Sequence, residues 1–263
     1  MKREYAIFSM VICILGGFVS GWFIPSLFSN VQGTSLLDII QSRGYMIVGT
    51  SSDWPPFEFF NLTGTEEYEG FDIDLCNIIA NSLGVTVQWS DMEFGALIAA
   101  CDSGLIDMIA AAMFITPDRA EVLAHSVPYI RTNEVVIALA NSTININSIA
   151  NLSDYTVGVQ TGTAEMWELE DHIPPIPYVD YPSATVLIQN LVDQVIELSF
   201  VDEPVFTVWS NTYNLKSLYT VPAEPCGLWI RQNEPEFLHA INDVILEMFK
   251  NGSLDALVDK WFT

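Results

Sequence analysis

The segment GFDIDLCNIIANSLG, residues 70–84, and the later segment MFITPDRA, residues 113–120, say most about how this chain folds. The first predicts a helix over 72–82, because its apolar residues recur at helical spacing. These residues are Ile73, Cys76, Ile79 and Leu83. The second predicts a helix start, since a threonine that can cap free amides precedes a proline at the first helical position and an acid in the first turn.

Around these two segments, predicted strands alternate with predicted helices. Apolar runs over 45–51, 85–90 and 105–114 indicate buried strands, and 36–43 and 94–102 are typical of helices. Such alternation implies a parallel sheet, whose ligands bind outside the carboxyl ends of the strands. We therefore expect a site at the residues that follow or close these strands, which are Trp54, Phe94, Phe114 and Arg119.

A second set of the same kind follows in the chain. Strands are predicted over 155–160, 176–181 and 195–201, with helices from 164, from 183 and after Pro204. A strand over 133–140 leaves the first set, and the chain returns at about 219–230 before two final helices, 234–250 and 253–262. The prediction is a hinged clamshell. The chain is thus divided into a membrane anchor or signal segment (1–30), a linker with the first helix (31–43), a first lobe (44–132 plus 221–263) and a second lobe (133–220).

The N-terminus combines two cations, Lys2 and Arg3, with an uncharged run from Tyr5 to Phe28. That run is long enough to cross a bilayer as a helix, and the cations favour an inside location for the first residues. A cleaved signal peptide is the alternative, because small residues occur near 19–21. We favour a retained anchor in the cell membrane, since the apolar run continues past that point. The binding domain is then expected on the extracytoplasmic side.

Composition limits the classes of partner. Half of the 263 residues are apolar, which is enough for one large or two medium cores. The formal charge of -24 argues against nucleic acid and anionic membrane surfaces, because both require clustered lysine and arginine. The three histidines lie in neither a nucleophile nor a metal arrangement, so we expect no metal, no cofactor and no catalysis. Cys76, Cys101 and Cys226 are expected to be buried free thiols, although an outside compartment permits a disulfide.

Arg119 is notable because bases are scarce in this chain. Nine Lys and Arg residues stand against thirty-three Asp and Glu residues. Arg119 lies in the first turn of its predicted helix, where the helix dipole disfavours a cation, so a compensating anion is expected. A guanidinium suits a carboxylate held by two parallel hydrogen bonds. A salt bridge to one of the many acids of the chain is the alternative.

Several motifs occur together in one order: WPPFEF (54–59), GFDIDL (70–75), ITPDR (115–119), VGVQTGT (157–163) and NGSLDALVDKWF (251–262). In this combination the chain resembles the family 3 solute-binding proteins, the receptors of ABC uptake systems for polar amino acids, from Leu36 to the terminal KWF. The resemblance implies an α/β, periplasmic-binding-protein-like clamshell of type II. It also implies a non-enzymatic receptor that captures a small zwitterion, an amino acid, and delivers it to a permease and an ATPase.

The resemblance assigns roles to single residues. Arg119 falls where these receptors hold the ligand's α-carboxylate, and Asp202 matches the residue that receives the α-ammonium, although an aspartate there can instead cap a helix. Trp54 and Phe94 match two rings that face each other across the ligand side chain, although both can be ordinary core residues. The TGTA turn matches backbone amides and the Thr163 hydroxyl that complete the carboxylate site. The other expected ligand-lining residues are Ser51, Ala112, Phe114, Gln160 and Ala164.

Two of these positions depart from the family pattern. Phe114 stands where Ser, Thr or Asp usually helps to hold the α-amino group, so it can form a third aromatic wall or contribute through its backbone. Ser51 stands where receptors for side-chain amides or cations often carry Asp. That difference weakens the case for arginine, lysine or glutamine as the ligand.

Two other functional classes share these lobes. A cyclohexadienyl dehydratase and some lytic transglycosylases are enzymes of this kind, and the ligand-sensing module of a receptor kinase or channel is the third class. The sequence favours transport over catalysis, because it shows no catalytic arrangement. It favours transport over sensing, because no second membrane span is predicted.

Overall fold

The computed structural model describes residues 34–61 and 67–263, and Thr34–Thr263 cluster into one compact unit. The anchor predicted over Tyr5–Phe28 lies outside the described residues. Among the residues that are described, no helix has both the length and the apolar character that crossing a membrane requires.

The strands are short and belong to three sheets. In chain order they are β1 (Tyr45–Thr50), β2 (Asp53–Trp54), β3 (Glu58–Phe60), β4 (Tyr68–Glu69), β5 (Thr86–Asp91), β6 (Met108–Ile109), β7 (Leu123–His125), β8 (Asn133–Leu139), β9 (Val157–Gln160), β10 (Tyr178–Tyr181), β11 (Leu198–Asp202), β12 (Leu215–Pro222) and β13 (Trp229–Arg231).

The helices fall between these strands and at the end of the chain. They are α1 (Leu36–Arg43), α2 (Phe71–Leu83), α3 (Leu97–Asp102), α4 (Pro117–Val122), α5 (Ala164–Asp171), α6 (Ala184–Val192), α7 (Glu203–Ser210), α8 (Pro235–Asn251) and α9 (Ser253–Phe262), with short 3-10 helices at Phe94–Ala96 and Ile149–Asp154.

Two five-stranded sheets form the framework. Sheet I has the order β5-β1-β6-β13-β7, with β1 parallel to both β5 and β6 and β13 antiparallel to its neighbours. Sheet II has the order β10-β9-β11-β8-β12, in which β9 is parallel to both β10 and β11, and β8 is antiparallel to both of its neighbours, β11 and β12. The predicted parallel strands are therefore present in each sheet. Antiparallel pairs are added by β13 in sheet I and by β8 in sheet II.

Local sequence signals explain the helix starts next to the site. The Thr116 side chain accepts a hydrogen bond from the amide of Arg119, and Pro117 occupies the first turn, as predicted. Helix α2 buries Ile73, Cys76 and Ile79 on one face and ends at Gly84, whose φ of 74° suits a glycine.

The third predicted strand, 105–114, is wrong in its length. Only Met108–Ile109 pair within sheet I, and the chain then leaves the sheet. The amide of Ala112, a residue with φ 48°, donates to the Asp72 carboxylate at 2.8 Å instead of to a neighbouring strand. An apolar run alone does not reveal that a distant side chain satisfies its backbone.

The described cysteines are buried, and none of them forms a disulfide with another. Cys76, Cys101 and Cys226 are free thiols, as predicted. Burial raises the pKa of all three thiols, which keeps them in the neutral form.

Candidate functional site

A cavity lies where strands of both sheets end. All the residues predicted for the ligand site line it, together with three that the sequence analysis missed, Glu58, Ala111 and Glu165. The complete lining is Ser51, Trp54, Glu58, Phe94, Ala111, Ala112, Phe114, Arg119, Gln160, Thr163, Ala164, Glu165 and Asp202. Gln160 closes β9 and Asp202 closes β11, while Ser51 follows β1, so the site lies at the carboxyl ends of parallel strands.

Arg119 is held in place without a carboxylate. Its side chain is buried, and it donates from Nη1 to the Phe114 carbonyl at 2.9 Å and from Nη2 to the Gly162 carbonyl at 3.2 Å. The guanidinium carbon lies 4.7 Å from the ring centroid of Trp167 and 5.5 Å from that of Phe94. Among the ion pairs of the described residues, none involves Arg119. The salt-bridge alternative is therefore not what this structure contains.

The charge of Arg119 survives its burial. Burial lowers the pKa of Arg119 to about 10, and the negative charge of Glu165 opposes that shift. A pKa of that size keeps the guanidinium protonated at neutral pH. Its buried Nε has no hydrogen-bond partner within the described part of the chain. The cation thus retains donors for an anion placed in the cavity.

Asp202 lies directly before α7, but its side chain does not cap that helix. It occupies the N-cap position with no side-chain cap hydrogen bond. Its Oδ2 instead accepts a hydrogen bond from Trp54 Nε1 at 2.8 Å, and its buried Oδ1 has no partner among the residues described. Burial raises the pKa of Asp202 well above its ordinary value, and the charge of Glu165 raises it further. The helix-cap alternative does not account for this carboxylate.

Two more acids face the same cavity. Glu58 belongs to β3 and is fully buried, and neither of its oxygens has a hydrogen-bond partner in the described ranges. Glu165 follows the TGTA turn and is also buried, with Oε1 unpartnered in that same part of the structure. Burial is the largest cause of the raised pKa of each of these two carboxyls. An acid inside an apolar motif, as in WPPFEF, is the signal that could have identified Glu58.

A fourth acid lies behind Asp202. Glu134 of β8 stands opposite Asp202 in the antiparallel register and is buried. Burial raises the pKa of Glu134, and the charges of Glu165 and Asp202 raise it further. These acids therefore make the second-sheet side of the cavity electronegative whenever they ionise. They do not form a metal site, since no group of three or more metal-binding side chains occurs in the described residues.

The TGTA turn adds a helix start and a close backbone contact. The Thr163 hydroxyl accepts from the Met166 amide at 3.4 Å and donates to the Gln160 carbonyl at 2.9 Å. Its one proton is therefore already used, so the predicted side-chain donation to a ligand requires the hydroxyl to rotate. Gly162 has φ 82°, and a side chain there would lie 2.9 Å from the Cα of Gly95. Only glycine allows the two sides to meet so closely.

The remaining predicted residues contribute walls and backbone groups. Trp54, Phe94 and Phe114 are buried and line the cavity with their rings or backbone. The Phe114 carbonyl accepts from Arg119, so part of its role is polar. Ser51 donates from Oγ to Asp53 Oδ1 at 3.2 Å.

Asp72 supports the site from behind. Its Oδ2 accepts from the Ala112 amide at 2.8 Å and from the Tyr129 hydroxyl at 2.9 Å, and the side chain is fully buried. Burial raises the pKa of Asp72 to about 7, while these two hydrogen bonds lower it. Asp72 thereby fixes the turn that carries Ala112 and Phe114. Its position in the GFDIDL motif did not reveal this role.

Comparison with known proteins agrees with this geometry. Residues 46–263 match the family model described as bacterial extracellular solute-binding proteins, family 3. The chain is 27% identical over 224 residues to the arginine-binding extracellular protein ArtP of Bacillus subtilis (strain 168), covering 83% of this chain and 86% of ArtP. It is also 27% identical over 231 residues to the L-cystine-binding protein TcyJ of Escherichia coli (strain K12), covering 86% of each.

Solved structures are similar over the same length. A mutant of ArgBP from T. maritima superposes with a TM-score of 0.82 at 32% identity, covering 86% of this chain and 98% of that one. The ancestral amino acid-binding protein AncCDT-1, a precursor of cyclohexadienyl dehydratase, superposes with a TM-score of 0.79 at 30% identity, covering 87% and 100%. The predicted α/β, periplasmic-binding-protein-like fold is confirmed by these superpositions. The chain belongs to the bacterial extracellular solute-binding proteins of family 3.

Proposed function

We propose that this protein is a receptor that captures a small zwitterion, an amino acid, and delivers it to an ABC transporter. The observation that carries the proposal is that Arg119 of α4, which lies between two strands of sheet I in the chain, and Asp202 of β11 in sheet II have opposite formal charges and line one cavity. A ligand with both a carboxylate and an ammonium group contacts both sides at once. Its binding then favours the closed arrangement over the open one.

The cavity also favours some amino acids over others. Glu58, Glu165 and Asp202 line it with a single cation, Arg119. Since burying an additional negative charge beside these acids is costly, the pocket favours neutral or cationic side chains over anionic ones. The arginine-binding and L-cystine-binding relatives support this choice. Ser51 also lines the cavity. It stands where receptors for cationic side chains often carry Asp, which weakens the case for arginine as the ligand.

A screen of amino acids tests the proposal. Thermal-shift measurements with L-arginine, L-cystine, L-glutamine and L-glutamate, followed by calorimetry on the best, should show a rise in melting temperature for at least one. L-glutamate is expected to give the smallest shift. The proposal fails if no amino acid raises the melting temperature, or if L-glutamate raises it most.

Binding without catalysis belongs to the same proposal. The named relatives are binding proteins, and AncCDT-1, the named precursor of a dehydratase, is itself described as amino acid-binding. The amino acid that binds should therefore be recovered chemically unchanged. Mass spectrometry of the solution after prolonged incubation measures this, and a new product would redirect the assignment to a dehydratase-like enzyme.

The partners and location follow from the family and from the N-terminal sequence. We propose that an ABC permease and ATPase receive the solute, and that the run Tyr5–Phe28 is retained as the anchor of an extracytoplasmic domain. In this proposal the first lobe (44–132 plus 221–263) and the second lobe (133–220) close around the solute. Intact-mass analysis of the mature protein decides the anchor, because a chain that begins near Trp22 would show a cleaved signal peptide.

A further inference from the structure

The strand β2 consists of two residues, and the side chains of both make contacts across the cleft between the sheet I and sheet II sides of the molecule. Asp53 accepts a hydrogen bond at the start of α6, and Trp54 donates one to the end of β11. Helix α6 follows a strand of sheet II, whereas β2 follows a strand of sheet I. We propose that Asp53 and Trp54 form a clasp that holds the cleft closed before any solute binds.

The Asp53 half of the clasp is a charge at a helix start. Its Oδ2 accepts from the amide of Ala184 at 2.6 Å, and Ala184 is the first residue of α6. The helix has its own cap, because the Ser183 hydroxyl accepts from the amide of Val186 at 3.3 Å. The cap leaves the first amide of the helix without a partner of its own, and Asp53 supplies it from the other side of the cleft. A carboxylate in this position is stabilised by the helix dipole as well as by the hydrogen bond.

The Trp54 half depends on the indole nitrogen. Trp54 Nε1 donates to Asp202 Oδ2 at 2.8 Å, and both side chains are buried. Phenylalanine cannot make this contact, since it has no N–H group at the ring edge. The contact leaves the second oxygen of Asp202 available to an ammonium group.

The Asp53 half of the clasp lies beside the cavity, whereas Trp54 and its partner Asp202 belong to the cavity lining. Asp53 is not among the cavity-lining residues. Its other oxygen is used by Ser51 of the same side, at 3.2 Å. A contact of this kind raises the fraction of ligand-free protein that is already closed. Because apparent affinity scales with that fraction, the Asp53 contact strengthens binding without touching the solute.

Asp91 offers a matched control. It accepts from the amide of Ser52 at 3.0 Å and from the Ser52 hydroxyl at 2.6 Å, so it holds the residue next to the clasp. Both of these contacts stay on the sheet I side. Asp53→Ala and Asp91→Ala therefore remove the same chemical group from neighbouring positions, and only the first removes a bond across the cleft.

A second variant removes the same bond from the other partner. Ala184→Pro deletes the N–H donor while leaving the Asp53 carboxylate in place. Proline is accepted at the first helical position, and Ser183, with φ -143° and ψ 152°, has the extended backbone that precedes a proline. This variant keeps the proposal testable if Asp53→Ala does not fold.

Hydrogen exchange of the full-length protein, purified in detergent, dialysed and measured without added solute, tests the clasp. Peptides that cover the cavity residues 158–165 and 110–115 should exchange about tenfold faster in Asp53→Ala and in Ala184→Pro than in the wild type, the size expected for one charge-assisted hydrogen bond. Asp91→Ala should exchange like the wild type.

Two results would overturn the clasp. One is wild-type exchange of these peptides in both cross-cleft variants. The other is the same acceleration in Asp91→Ala, which would show that any weakening of this loop opens the cleft. Since no solute is added, neither result depends on whether the ligand is an amino acid.

Discussion

Arg119 and Asp202 face the same cavity from opposite sheets, but their surroundings differ. Arg119 lies between two aromatic rings, donates to two backbone carbonyls and keeps a pKa of about 10. Asp202 has one hydrogen bond, from Trp54, and its pKa is raised by burial and by the charge of Glu165. The cationic side of the site is therefore a single charge, whereas the acidic side is a cluster of buried carboxyls whose pKa values are raised.

This difference predicts which substitutions weaken ligand binding most. Removing the single cation leaves nothing of the same sign within the cavity lining. Removing one acid leaves Glu165 and Glu58 nearby. We therefore expect unequal losses from equally conservative substitutions at the two ends of the ligand.

The largest effect is expected for Arg119→Lys. A lysine cannot hold a carboxylate through two parallel hydrogen bonds, so binding of the amino acid found by the screen should weaken by about 1.5 to 3 kcal/mol. Calorimetry measures the loss. Arg131→Lys is the control, because Arg131 also donates to a backbone carbonyl but lies largely exposed outside the cavity. Equal losses in the two variants would remove Arg119 from the site.

Asp72, the buried acid behind the site, predicts an unusual pH dependence of folding. The pKa of Asp72 is raised to about 7 in the folded protein, so the native state holds more protons than the unfolded state between pH 4 and pH 7. The free energy of unfolding without ligand should therefore fall by about 2 kcal/mol as pH rises from 5 to 8. Urea unfolding measures it.

Asp72→Asn should flatten this dependence, since an amide does not titrate. Asp91→Asn, at an exposed carboxylate, should leave the dependence unchanged. A wild-type protein that gains stability from pH 5 to pH 8 would contradict the assignment of a raised pKa to Asp72.

A smaller effect is expected for Asp202→Asn. The amide oxygen can still accept from Trp54 Nε1, and Glu165 still supplies a negative charge near the ammonium site. Binding should weaken by about 1 kcal/mol, less than for Arg119→Lys. A loss larger than that of Arg119→Lys, measured in the same calorimeter series, would show that Asp202 alone carries the charge of the acidic side.

The smallest effect is expected for Trp167→Leu. The change removes the ring over the Arg119 guanidinium while leaving its two carbonyl contacts. Affinity should fall by about 0.5 kcal/mol. Trp209→Leu, at a ring that stacks on Tyr213 instead, is the control and should bind as the wild type does. Identical affinity in the wild type and Trp167→Leu would mean that packing of Arg119 does not limit binding.

Local signals were enough to predict much of the fold. The helices over 36–43 and 253–262 appear with the expected bounds, because their apolar spacing lies within the segments themselves. The predicted residues also line one cavity, and three of them, Ser51, Gln160 and Asp202, lie at the carboxyl ends of strands, where a ligand site was expected.

Long-range contacts account for what the sequence did not reveal. The strand over 105–114 is cut short because Asp72, distant in the chain, binds the amide of Ala112. Trp167 of α5 covers the Arg119 guanidinium, although the two residues are far apart in the chain. Each of these depends on the packed arrangement, which no spacing or propensity records.

The position of β13 in sheet I has a consequence for the order in which the protein can be made. β13, Trp229–Arg231, lies between β6 and β7, whereas every strand of sheet II falls within residues 133–222. During translation sheet II can be completed first, although sheet I begins earlier in the chain. A product that stops before Trp229 carries every residue of the cavity lining, yet β6 and β7 lack the strand that joins them. The sheet I side of the site can therefore fold only after synthesis has passed β13, even though all the cavity residues are already present in the shorter chain.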